Sequence, residues 1–95
     1  MSNDKPKEIK INVPPNVQGG NYANNMLVTY TKEEFIMDFM MIVPPVGVVN
    51  SRVIINPGHL KRIIKALEDN VKKYESNFGV IEIAEEPKGK IGFTH

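Results

Sequence analysis

The stretch FIMDFMMIVPP, residues 35–45, decides the fold. Its first nine residues are apolar except for Asp38, and two prolines close it. Side chains alternate across a strand, so Phe35, Met37, Phe39, Met41 and Val43 share one face while Ile36, Asp38, Met40 and Ile42 share the other. The first set is wholly apolar and makes a seat for a second layer. The other set raises a question, because a carboxylate withdrawn from water without a partner is strongly unfavourable. Asp38 must be paired, face water or carry out chemistry.

The segments on either side answer it. YANNMLVTYT (22–31) is aromatic and β-branched after Asn25, and TKEE (31–34) is a polar break, so the two runs form a hairpin. PPVG (44–47) breaks the chain again, and VVNSRVII (48–55) is a third run of strand type with Arg52 inside it. If the second and third runs pair residues whose numbers sum to 90, Arg52 lies opposite Asp38, and Val49, Val53 and Ile55 extend the apolar seat. A sum of 65 in the first hairpin sets Leu27 beside Asp38 and keeps Met26, Val28 and Tyr30 on the seat. The carboxylate then has its partner.

The period changes after Ile55. In NPGHLKRIIKALEDNVKKYESNFG (56–79), Leu60, Ile63, Ile64, Leu67, Val71, Tyr74 and Phe78 recur as a helical stripe. Asn56 suits the N-cap, Pro57 the first helical position and Gly79 the stop. Lys65 with Asp69, Glu68 with Lys72 and Asp69 with Lys73 place opposite charges four apart, each adding about 0.3 kcal/mol to a solvated face. Towards the N-terminus, EIKINV (8–13) alternates as a short half-buried strand, and PPNVQGGN (14–21) favours an extended loop. VIEIA (80–84) has the composition of a last short strand.

The expected fold is therefore α+β: an antiparallel β-meander of about four strands with one long C-terminal amphipathic helix packed on one face. A flexible arm (1–7) and a flexible tail (85–95, with apolar Ile91 and Phe93) flank a single domain over 8–84. Ninety-five residues suffice for one modest core and leave no room for a second domain. With no cysteine, packing alone must hold that core, as is usual in a reducing compartment. The charged start MSNDKPKEIK lacks a signal-peptide core and no apolar run reaches the ~20 residues of a membrane span, so a cytoplasmic, non-membrane protein is expected.

The second sheet face carries Ile36, Met40, Ile42, Val48 and Ile54, too much apolar surface to leave wet once the helix has taken the first. A second copy of the chain or another protein is the economical cover, with the first strand or the C-terminal segment as the intramolecular alternative. The candidate contact set is Ile36, Asp38, Met40, Ile42, Arg52 and Ile54, with the ion pair orienting the contact. The plainer reading makes Asp38 and Arg52 an open-face cross-strand pair that needs no function. Met40 is the methionine best placed to adapt to a partner, although methionines in strands are more often core filler.

The order YAN (22–24), EFIMDF (34–39), Pro44, SRVIINPGH (51–59) and LKRIIKALEDNVKKYESNFG (60–79) resembles the small bacterial family catalogued as domain of unknown function 3467. The resemblance implies a compact α+β module and supplies no catalytic residue. It also implies that Asp38, Arg52 and the Tyr22–Asn24 entry are shared features of that module.

Other chemistry finds little support. His59 and His95 have no metal-site spacing, and QGGN lacks the later glycine and lysine of a phosphate loop. Ser51 has no histidine near it in sequence, and Glu33 and Glu34 share a polar turn with no cleft. No enzyme, cofactor or metal is expected. Net charge is +1, without the footprint of a dedicated polyanion binder. The alternative is a nucleic-acid-associated protein using Arg52, Lys61, Arg62, Lys65 and Lys72, although acidic residues interrupt these on the helix.

Overall fold

Residues 6–92 are described by a computed structural model. A short helix α1 (Pro15–Gln18) precedes strands β1 (Asn25–Tyr30), β2 (Phe35–Val43) and β3 (Val46–Ile55), and helix α2 (Pro57–Phe78) follows. The strands form one antiparallel sheet in the order β1-β2-β3, with the nine residues of β2 at its centre.

Local chemistry sets each connection. Between β1 and β2, the Thr31 N–H donates to the Glu34 carbonyl at 2.9 Å, while the Thr31 hydroxyl accepts from the Glu33 and Glu34 N–H groups at 3.2 Å. The threonine thus closes the polar break as a side-chain turn. Between β2 and β3 the turn is only Pro44–Pro45, and β3 starts at Val46, two residues earlier than strand composition suggests. At α2 the Asn56 side chain accepts from the His59 N–H at 2.7 Å, Pro57 opens the helix, and the Gly79 N–H reaches the Glu75 carbonyl at 2.9 Å with φ of 95°. That positive φ suits glycine and ends the helix as expected.

The β1–β2 register agrees with the sequence reading along its whole length: Leu27 pairs with Asp38 and Tyr30 with Phe35. The β2–β3 register agrees from Phe35↔Ile55 to Phe39↔Ser51, including Asp38↔Arg52, and then slips by one. Met40 pairs with Val49 and Met41 with Val48, so Asn50 is the extra residue of a β-bulge. The slip exchanges the two valines expected on opposite faces. Val49 joins Met40 on the second face, and Val48 joins Met41 on the first.

Three expectations need correction. The sheet has three strands: residues 8–13 and 80–84 are outside it, with Ile9 80% and Ile83 97% exposed. Neither segment finds a free sheet edge within the chain. Residues 14–21 hold the single turn α1, where the fixed φ of Pro15 starts a helix that Gly20, at φ of 69°, does not continue. Finally, α2 makes no extensive contact with the first face, and only Leu60 and Ile63 of its stripe are half-buried. Only β1 with β2 and β2 with β3 are in extensive contact, and no α2 residue is buried. Leu67, Tyr74 and Phe78, in the middle and far half of its stripe, are 59%, 51% and 75% exposed.

Asn56 alone separates β3 from α2, with the φ of −79° and ψ of 159° usual for an N-cap. Among the described residues the buried set is correspondingly small: Met37 and Ile55 on the first face, Asp38 and Met40 on the second. The radius of gyration is 17.6 Å, against about 12 Å for a compact chain of this length. Residues 1–5 of the expected arm and 93–95 of the expected tail, including Phe93 and His95, lie outside the described residues.

Candidate functional site

The second face gathers the sequence-expected contact set at the centre of the sheet. Ile36 pairs with Ile54 and Asp38 with Arg52, followed by Met40 and Ile42 along β2. Arg52 grips Asp38 with two prongs, Nε to Oδ1 at 2.6 Å and Nη2 to Oδ2 at 3.0 Å. Those hydrogen bonds, aided by the guanidinium charge, hold the carboxyl below its usual range against the opposing effect of burial. Donating to Asp38 raises the guanidinium in turn. Asp38 is 3% exposed, yet its cover is thin, because no second layer of secondary structure lies on the sheet.

The pair is therefore ionised, and burial is asymmetric within it. The Arg52 side chain is 56% exposed, while that of Asp38 is 5% exposed. Met40 is as covered as Asp38, Ile36 and Ile42 are half-buried, and Ile54 is exposed. Arg52 and Ile54 are thus the members of the set that present surface.

Beside this face runs a cavity of about 510 Å³. Met40, Ile42, Val49 and the Pro44–Pro45 turn line one side, and the C-terminal residues 87–92 line the other. The C-terminal segment, named as one intramolecular alternative, thus lines a cavity beside this face. Its Lys88 and Lys90 put cations at the rim of an otherwise apolar wall.

Two asparagines make contacts that the sequence reading did not assign, although Asn24 lies in the YAN entry it named. The Asn24 side chain acts as an extra strand residue: its Oδ1 accepts from the Ile42 N–H and its Nδ2 donates to the Ile42 carbonyl, both at 2.8 Å. The Asn24 N–H also donates to the Met40 carbonyl at 3.1 Å. Asn50, at the bulge, donates through Nδ2 to the Tyr22 carbonyl at 2.7 Å and so ties β3 to the entry of β1. The signal was an asparagine inside the strand-type run VVNSRVII, where few strands place one. These contacts give YAN and VVNSRV a common structural purpose.

The helix cations stand apart. Lys61, Arg62 and Lys65 lie with Ile64 and Glu68 around a shallow depression on α2. Lys65 reaches Asp69 at 3.8 Å, the one of the three expected four-apart pairs that closes. Arg52, counted with these cations in the alternative reading, is engaged by Asp38. Among the described residues, no three histidine or acidic side chains cluster as a metal site would require, and no helix is long and apolar enough to cross a membrane.

A three-stranded antiparallel meander with a bulged edge strand, an ionic fork at its centre and a trailing helix defines a small α+β module. The chain belongs to the family described as protein of unknown function (DUF3467), whose model matches residues 1–83. The match takes in the arm, α1, the sheet, α2 and most of residues 80–84, a longer span than the sequence resemblance covers. Neither the curated proteins nor the solved structures contain a match to the chain.

Proposed function

We propose that this chain is a non-enzymatic, cytoplasmic protein-interaction module that works as a homodimer. One observation carries the reading: the chain exposes 9126 Å², against about 5,500 Å² for a compact monomer of its mass. Extended segments at both ends account for part of the excess. Apolar side chains on α2 and on the first sheet face are open as well, Val28, Val48 and Val53 among them. An interface of ordinary size buries only about 800 Å² per partner, so self-association has ample surface to draw on.

Light scattering on the purified full-length chain over a range of concentrations tests it. The expected mass is twice 10.7 kDa. A monomer at every concentration overturns the homodimer. The nucleic-acid alternative has weaker support, since Arg52 and Lys65 are both engaged by carboxylates. Steeply salt-dependent binding to an oligonucleotide would favour it over the module reading.

A further inference from the structure

Resting on that homodimer reading, we infer that the two copies exchange helices: the apolar stripe of α2 in each chain lies on the first sheet face of the other. Three observations converge. The stripe from Ile64 to Phe78 and the face at Met26, Val28, Val48 and Val53 stay open within the chain, and each surface carries an aromatic pair. The rings of Tyr74 and Phe78 meet tilted at 5.0 Å on the helix, and those of Tyr30 and Phe35 at 5.7 Å on the sheet. A helix stripe and an apolar sheet face are the complementary layers of an α+β fold.

They also match in length. Leu60 to Phe78 spans about 27 Å at the helical rise, and the first face of β2 from Phe35 to Val43 spans about 26 Å at the strand rise. The third observation is the connection: Asn56 alone separates β3 from α2, and α2 makes no extensive contact with its own sheet. The stripe is thereby left open to a second molecule. A two-fold arrangement satisfies both surfaces twice and leaves no open end from which a filament would grow.

The chain has no cysteine, so introduced thiols report only their own contacts. Ser51 sits mid-strand on the first face, and Ser51→Cys changes little but one atom. Chains carrying Ser51→Cys are mixed and refolded with chains carrying Ile64→Cys, Leu67→Cys or Val71→Cys, then oxidised mildly at the concentration where light scattering gives the dimer. The three helix positions span two turns, so a shifted register still brings one of them to Ser51. The expected result is a disulfide-linked mixed dimer for at least one pair and little or none from either variant alone. A dimer that links helix to helix, or links at none of the three positions, overturns the exchange and leaves the homodimer reading standing. A monomer by light scattering overturns both.

Discussion

Arg52 and Asp38, fourteen residues apart, meet through both nitrogens and both oxygens of a planar fork, at 2.6 and 3.0 Å. The β2–β3 register alone brings them opposite each other, and the bulge begins one pair further on, after Phe39↔Ser51. The fork therefore sits on the last stretch of regular ladder before the sheet changes face assignment. It pins the register just ahead of the bulge.

Burial predicts an asymmetry between the two partners. Removing the guanidinium in Arg52→Met strands a covered carboxylate, whereas removing the charge in Asp38→Asn leaves an arginine that reaches water. Thermal melts at fixed protein concentration should rank Arg52→Met as the more destabilised, with Arg52→Lys between it and the wild type because an ammonium cannot reproduce the fork. The double variant Asp38→Leu with Arg52→Met should recover part of the loss. Equal melting points for the two single variants would refute the asymmetry.

The same fork gives stability a pH dependence of known sign. The native Asp38 carboxyl titrates below its unfolded value of about 3.9, so at low pH the unfolded chain takes up the proton first. The contribution of the pair is then fully present above that value and is lost as pH falls through the native one. Melting temperatures of wild type and Asp38→Asn should differ by a constant amount near neutrality and converge in acid. A gap that widens in acid would contradict the direction of the shift.

Asn24 supplies a different kind of register lock. Its side chain occupies both hydrogen-bonding groups of Ile42, and Asn24→Ala gives up two bonds worth about 1 kcal/mol each. Urea denaturation at constant chain concentration should show a loss of about 1–2 kcal/mol. Asn24→Asp keeps the acceptor for the Ile42 N–H but sets a carboxylate against the Ile42 carbonyl, so it should do no better than alanine. Recovery of stability by aspartate would mean that the donor half of the contact contributes nothing.

Alternation along residues 35–43 was enough to place β2 and pair Asp38 with Arg52, because a one-residue slip of β3 would have put Arg52 among apolar side chains, while the simplest hairpin register placed β1. The bulge at Asn50 was not legible that way: periodicity records the order of residues, and a bulge inserts one residue without changing that order. The boundaries of α2 were legible because capping is local chemistry, from Asn56 to Gly79. Where α2 would pack was not, since a stripe states that it needs cover without naming the surface that provides it. The same limit applies to EIKINV, whose alternation describes a half-buried strand although no edge within the chain receives it.

Leu67 turns that limit into a measurement. It is 59% exposed at the middle of the α2 stripe, and in a chain that works alone Leu67→Lys would change stability by no more than about 0.5 kcal/mol. In a dimer whose stripe is covered, the lysine removes a buried leucine and buries a charge at two symmetry-related places. With about 2 kcal/mol lost at each, dissociation should strengthen by roughly a thousandfold. Lys72→Glu, off the stripe, is the control that alters helix charge without touching it. Sedimentation of the two variants beside the wild type should show Leu67→Lys as a monomer and Lys72→Glu as a dimer. A wild-type mass for Leu67→Lys would place the dimer contact away from the helix.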